Sequence, residues 1–116
     1  MSIQRFETGR RMSEAVLHNG VVYLAGQVAD EGVGDSVREQ TISILGSIDA
    51  LLAKAGTNKS KLLSATIWLA DMGGFDEMNS VWDAWVSPGN APTRATVEAR
   101  LSARRYLVEI AVIAAV

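Results

Sequence analysis

Residues 106–116 read YLVEIAVIAAV, an apolar run that contains one charged side chain, Glu109. Its β-branched and aliphatic composition predicts a strand from Tyr106 to Ala115. The segment from Arg94 to Leu101 alternates polar and apolar residues and predicts another strand, with one polar and one buried face. A carboxylate in apolar surroundings is costly unless it is paired or hydrogen-bonded. Glu109 therefore needs a partner or a function.

These two strands are predicted to pair with each other across a short turn at Ser102-Ala103. A two-residue turn sets Thr96 opposite Glu109, and a turn two residues longer sets Glu98 there. Arg94 shares a face with Glu109 in both registers, because only the parity of the register matters. An internal salt bridge, or a solvent-facing glutamate on a half-exposed strand, is an alternative explanation that the spacing leaves open.

The first part of the chain predicts a hairpin followed by a helix. Two strands joined at Asn19-Gly20 are expected within Val16 to Ala25, which end at Gly26-Gln27 before a solvated loop. Ser36 with Glu39 forms a capping box, and an apolar stripe at spacings of three and four continues to a stop at Gly56. This pattern predicts one long amphipathic helix.

The middle of the chain predicts a strand and a second helix. Leu62 to Ala70 carries apolar residues on both faces, which indicates burial on both sides. The second helix begins near Gly74 and is broken at Ser87-Pro88-Gly89. The complete order is β-β-β-α-β-α-β-β. We expect an α+β two-layer sandwich, a mixed sheet of about six strands with two helices on one face, in a single domain over residues 1–116.

Composition excludes several classes of function. The 116 residues include 11 Lys plus Arg and 13 Asp plus Glu, a net charge of -2, without a broad basic stripe for nucleic acid. Cysteine is absent, which excludes thiolate nucleophiles and Cys-ligated metals. No apolar run is long enough to cross a bilayer, and Met1 to Arg5 lacks a signal-peptide core. We expect a cytoplasmic protein with no membrane or nucleic-acid partner.

Other candidate residues have ordinary structural explanations. His18 is the only histidine and lies beside the predicted turn. Gly32-Val33-Gly34 lacks the third glycine of a dinucleotide fingerprint and is expected to be loop. Trp82 and Trp85 could stack on a ligand, although their helical spacing is typical of core residues. Ser13 and Ser102 have no recognisable base. We therefore expect neither a metal nor a cofactor.

Several segments together resemble the YjgF/YER057c/UK114 family, also called Rid proteins. The C-terminal part of the resemblance is PTRATVE at residues 92–98, followed by LVEI at residues 107–110. The N-terminal part is NGVVYLAGQ at residues 19–27. The middle part comprises Ala55-Gly56, Leu69-Ala70-Asp71 and FDEMN at residues 75–79. The resemblance therefore covers nearly the whole chain.

This resemblance implies a chorismate mutase-like fold and a homotrimer with sites in the clefts between subunits. It also implies hydrolysis of reactive 2-imino and 2-enamino acids to 2-keto acids and ammonia, without a cofactor. The family arginine that binds the substrate carboxylate corresponds to Arg94. The family glutamate associated with the catalytic water corresponds to Glu109.

Three expected substrate-binding positions depart from the family pattern. Ala25 replaces a small polar residue before the Gly-Gln pair, Thr96 replaces a cysteine, and Met12 replaces an aromatic residue at the entrance. These changes remove hydroxyl, thiol and phenol contacts. They leave open an alternative function, a non-catalytic trimeric module that binds small carboxylates or keto acids.

Overall fold

The fold is a six-stranded sheet with two helices, described by a computed structural model for residues 2–116. The strands are β1 (Gln4–Thr8), β2 (Ser13–His18), β3 (Val21–Leu24), β4 (Leu62–Leu69), β5 (Thr93–Glu98) and β6 (Val108–Ala115). The helices are α1 (Val37–Lys54) and α2 (Phe75–Trp85). The predicted order β-β-β-α-β-α-β-β is confirmed.

Both helices pack on one face of the sheet, and the core lies between the two layers. Alternate residues of the central strands point toward the helices, among them Ile67 on β4 and Ile110 on β6, both fully buried. Ile48 on α1 and Met78 on α2 meet this face and are also fully buried. The predicted two-layer α+β sandwich is therefore confirmed.

Local signals determine the helices and the first hairpin. Asn19 and Gly20 both have positive φ, 52° and 76°, as a type I′ hairpin turn requires. Ser36 caps α1, since its hydroxyl oxygen accepts a hydrogen bond from the Glu39 backbone N–H at 3.0 Å. Gly56 follows the helix with φ 85°. The expectations for these elements are confirmed.

The predicted pairing of the last two strands is wrong. The sheet order is β1-β2-β3-β6-β4-β5, so β6 lies between β3 and β4, and β5 pairs with the other side of β4. The β4–β5 pair is parallel, while every other pair in the sheet is antiparallel. Helix α2 provides the crossover that a parallel pair needs, and it carries β5 past β4 to the edge of the sheet.

The connection between β5 and β6 is also longer than predicted. β5 ends at Glu98 and not at Leu101, and β6 begins at Val108, so residues 99–107 form the link. Gln40 on α1, only 3% exposed, holds this link. Its amide donates to the Arg105 carbonyl at 2.8 Å and accepts from the Leu107 N–H at 2.8 Å.

The second face of the sheet is not covered by a helix. Trp68, on the uncovered face of β4, is half-buried, so the predicted burial of β4 is complete only on its helix side. Tyr23 and Val97 also lie on this uncovered face and are 48% and 46% exposed. None of the helices in residues 2–116 is both long and apolar enough to span a membrane.

Candidate functional site

Arg94 lies on the helix side of the edge strand β5. It is in register with Ala65 of β4, a core residue, and directly paired residues project from the same face. The carbon of the Arg94 guanidinium lies 5.4 Å from the ring centre of Trp82 and 5.9 Å from that of Phe75, both on α2. These are cation–π distances. Within residues 2–116 no carboxylate forms a salt bridge with Arg94.

Two buried polar atoms, one on β5 and one on α2, have no hydrogen-bond partner within residues 2–116. Thr96 follows Arg94 on the same face of β5, and its hydroxyl oxygen has no partner. Asn79 lies on α2, four residues after Phe75 and three before Trp82, which places it on the same side of the helix. Its side-chain carbonyl oxygen is also unpaired. Buried polar atoms in folded proteins are nearly always satisfied, so unpaired ones suit a ligand or water.

Glu109 lies on the opposite, uncovered face of the sheet. It is in register with Trp68, and both alternate with the core residues of their strands. Gly26 crosses directly above the Glu109 side chain. A Cβ at position 26 would overlap the Glu109 Oε2 atom and lie 3.0 Å from its Cδ. Because glycine has no Cβ, Gly26 leaves space for the Glu109 carboxylate.

Arg94 and Glu109 do not share a face within one chain, and that prediction is wrong. It assumed that β5 pairs with β6, whereas β4 lies between them. Arg94 is level with Val112 across β4, two strands and three residues away from Glu109. Strand spacing and rise then separate the two Cα atoms by roughly 14 Å, with the side chains on opposite faces. One small organic acid cannot contact both groups in a single subunit.

The other expected substrate-binding residues divide between the two locations. Thr96 belongs with Arg94. Ala25 directly precedes Gly26, and therefore belongs with Glu109. Met12 lies in the β1–β2 turn, is 50% exposed, and lines a separate shallow cavity of about 430 Å³.

The remaining candidates behave as structural residues. His18 ends β2, with its Nδ1 atom 3.2 Å from the Ser2 carbonyl oxygen. Trp82 is 5% exposed and packs in the core as well as under Arg94. Trp85 donates its indole N–H to Asp49 at 3.0 Å. Ser13 contacts Thr8, with 2.8 Å between the two hydroxyl oxygens.

Sequence reasoning missed Asn79 and the role of Gly26. Asn79 interrupts the apolar side of α2 formed by Phe75, Met78 and Trp82, and this interruption was a usable signal. The contact between Gly26 and Glu109 joins residues far apart in the chain and has no local signal. Within residues 2–116 no group of three or more His, Cys, Asp or Glu side chains could hold a metal ion.

Neither half of the site is enclosed by one chain. Five surface cavities of residues 2–116 are lined by residues other than Arg94, Thr96 and Glu109. Arg94 is on the outermost strand, and Glu109 is on the uncovered face. Both halves are therefore available to a neighbouring molecule.

Comparison with known proteins places the whole chain in one family. The family model described as Endoribonuclease L-PSP matches residues 2–116. A RutC family protein of Haemophilus influenzae is 47% identical over 114 residues, which cover 98% of each chain. The RutC family protein YoaB of Escherichia coli is 47% identical over the full length of both chains.

Solved structures give the same result. NMB1025 of Neisseria meningitidis, a member of the YjgF protein family, superimposes with a TM-score of 0.96 at 47% identity, and covers 99% of this chain and 95% of its own. The mixed sheet with two helices on one face is therefore the chorismate mutase-like fold of these proteins. Over residues 2–116, the chain therefore belongs to the YjgF family, which includes the Rid and RutC proteins.

Proposed function

We propose that this protein hydrolyses reactive 2-imino and 2-enamino acids to 2-keto acids and ammonia, at sites formed between the subunits of a homotrimer. Arg94 of one subunit binds the substrate carboxylate, and Glu109 of a neighbouring subunit assists the attacking water. The observation that carries this proposal is the guanidinium of Arg94, which lies on two aromatic rings and forms no salt bridge with a carboxylate of residues 2–116.

The Arg94 half suits a planar carboxylate. A guanidinium can donate two parallel hydrogen bonds to a carboxylate, a geometry that lysine lacks. Phe75 and Trp82 limit the orientations of the side chain without neutralising its charge. The Asn79 oxygen is an acceptor and the Thr96 hydroxyl is a donor and acceptor. Both atoms are buried in this structure, so each side chain has to rotate toward Arg94 to contact the polar atoms of the substrate.

The Glu109 half supplies the base. Water adds to the imine carbon while Glu109 accepts a proton from the water. The Glu109 carboxyl group then returns this proton to the nitrogen as ammonia leaves. The C=N bond is replaced by C=O, and water provides the oxygen. A protonated imine is strongly electrophilic, so positioning supplies most of the acceleration required.

The separation of the two halves supports assembly of the site between subunits. The exposed edge of β5 and the apolar side chains Tyr23 and Val97 on the uncovered face are surfaces that association would bury. An Arg94 at the edge of one subunit can then face a Glu109 on the sheet of the next. The trimer itself comes from the family resemblance.

Subunit mixing tests this function directly. Arg94→Ala and Glu109→Ala variants are each expected to lose hydrolysis of an imine generated in situ by an amino acid oxidase. When the two inactive variants are unfolded, mixed in equal amounts and refolded, random assortment in a cyclic trimer leaves about one quarter of the interfaces with both native side chains. About one quarter of wild-type activity should therefore return.

The controls are each variant refolded alone and an Arg94→Ala/Glu109→Ala double variant mixed with wild type. If each site used Arg94 and Glu109 of the same subunit, no activity would return in the mixture of the two single variants. Full activity of either single variant would remove that residue from the mechanism. A wild-type protein that releases no keto acid above the spontaneous rate would refute the enzymatic function.

One observation supports a second candidate, a module that binds small carboxylates without turnover. Arg94, Asn79 and Thr96 all belong to one subunit and offer hydrogen-bond donors and acceptors to a ligand. Carboxylate binding by these residues does not require Glu109. Saturable keto-acid binding by calorimetry, together with no imine hydrolysis, would favour this module. Cleavage of RNA is not proposed, because the chain has a single histidine and a net charge of -2.

A further inference from the structure

The segment Ala25-Gly26-Gln27 is held over Glu109 by Glu14 of β2. The Glu14 carboxylate accepts a hydrogen bond from the Gln27 side-chain amide at 3.0 Å. The Glu14 backbone carbonyl accepts from the Ala25 N–H at 2.9 Å. Glu14 thus forms hydrogen bonds with both ends of the Ala25–Gln27 segment.

Gln27 is fixed from several directions. Its side-chain amide donates to the Ala25 carbonyl at 3.0 Å as well as to Glu14, so both of its N–H bonds are used. Its backbone N–H donates to the Ile110 carbonyl at 2.8 Å, and its carbonyl accepts from the Ile110 N–H at 3.1 Å. Ile110 directly follows Glu109, so this bridge ties the segment to the strand that carries the carboxylate.

The consequence for Glu109 comes through Gly26. The absence of a side chain at Gly26 leaves room for the Glu109 carboxylate, so a shift of the segment toward Glu109 would reduce that room. The Glu14–Gln27 hydrogen bond is partly buried and ties the Gln27 side chain to β2. Glu14 is therefore linked to the Glu109 carboxyl group through the Ala25–Gln27 segment.

We propose that Glu14 is a positioning residue, which fixes the Ala25–Gln27 segment and so sets the orientation of the Glu109 carboxylate for water attack. This inference rests on the proposed function, and it assigns Glu14 no contact with substrate. The acceptor that matters is one side-chain oxygen, which glutamine also provides. The negative charge of Glu14 is therefore not required.

The test compares variants that keep or remove this acceptor. Glu14→Ala should lower kcat about tenfold, because small misplacements of catalytic groups have effects of this size or larger, and should leave KM within about twofold, because the proposed function assigns carboxylate binding to Arg94 and not to the segment that Glu14 holds. Glu14→Gln retains the acceptor and should stay within about twofold of wild-type kcat. Gln27→Glu sets two carboxylates against each other and should lose as much as Glu14→Ala.

A paired exchange gives a second check. In the Glu14→Gln/Gln27→Glu double variant the donor and acceptor change places, so part of the kcat lost in Gln27→Glu should return. Equal kcat for wild type and Glu14→Ala would overturn the inference, as would a Glu14→Ala effect confined to KM. Equal losses in Glu14→Ala and Glu14→Gln would overturn it too, since the charge would then matter.

Amide hydrogen exchange separates this inference from the proposed function. The Gln27 and Ile110 N–H groups should exchange faster in Glu14→Ala and at the wild-type rate in Glu14→Gln, whether or not the protein hydrolyses imines. If wild type shows no turnover but these rates change as expected, the proposed reaction fails while the positioning of the segment stands. Unchanged exchange in every variant would refute the positioning role.

Discussion

Arg94 and Glu109 lie on opposite faces of the same sheet, with β4 between their strands. Each has a setting that leaves its charge available. Arg94 is stacked on aromatic rings without a carboxylate partner, and Glu109 lies beside Trp68 under a glycine. The two residues therefore do not form an internal salt bridge with each other.

Replacement of Arg94 by lysine should separate charge from geometry. Arg94→Lys keeps the positive charge but loses the two-point contact, so kcat/KM for an imino acid should fall about 10- to 100-fold, a loss of roughly 1.4 to 2.8 kcal/mol. Arg94→Ala should fall further. Arg100→Ala, an exposed arginine beyond the end of β5, is the matched control and should keep wild-type kinetics. Wild-type kcat/KM in Arg94→Lys would contradict bidentate binding.

Addition of one methyl group at Gly26 should disturb Glu109. The Gly26→Ala Cβ overlaps the carboxylate, which lies at the end of a flexible side chain and can rotate away, so we expect a loss of about 0.5 to 1.5 kcal/mol in unfolding free energy, together with reduced kcat. Chemical denaturation measures the first effect. In Gly26→Ala/Glu109→Ala the overlapping atoms are absent, and most of the lost stability should return. A stability loss of the same size on both backgrounds would show that Glu109 is not the group displaced.

Replacement of Asn79 should maintain or raise the stability of the free protein and weaken keto-acid binding. Asn79→Leu replaces a buried unpaired oxygen with apolar atoms of similar volume, so the free protein should be as stable as wild type or up to about 1 kcal/mol more stable. Keto-acid affinity, measured by calorimetry, should fall. Thr96→Val is the matched change on β5 and should act in the same direction. Lower stability with unchanged affinity would assign Asn79 a purely structural role.

Gln40 should contribute stability alone. Gln40→Leu leaves the Leu107 N–H and the Arg105 carbonyl without their partner, which should cost about 2 to 4 kcal/mol of unfolding free energy. Gln4→Leu, at an exposed position on β1, should change stability by less than about 0.5 kcal/mol. Urea denaturation of both variants gives the comparison, and equal midpoints would argue against the anchoring of residues 99–107 by Gln40.

Local patterns predicted the elements, and the order of strands in the sheet required non-local reasoning. The Asn19-Gly20 turn, the Ser36 cap and the Gly56 stop each act within a few residues, and all three are present. The partner of β6 depends on where β5 goes after its crossover. A strand, a helix and a strand in succession predict a parallel pair, and this rule would have placed β5 beside β4.

The site divides in the same way. Motifs and composition identify Arg94, Thr96 and Glu109 as candidate site residues. Both can be read from the sequence without knowledge of the fold. Their predicted arrangement is wrong because the parity argument assumed that β5 pairs with β6, whereas each of these strands pairs with β4. Asn79 could have been found from its polar side chain on an apolar helix face. The space above Glu109 could not, since it is created by Gly26, eighty-three positions earlier.

The tryptophans divide between the two halves of the site. Trp68 is in register with Glu109 on the uncovered face, and Trp82 lies under Arg94, with the Trp85 ring centre 5.3 Å from its own. Each half therefore carries its own intrinsic fluorophore. A variant that keeps only Trp68 would report optically on events at the carboxylate, and one that keeps only Trp82 would report on occupation of the guanidinium, so the order in which the two halves respond could be timed without a label.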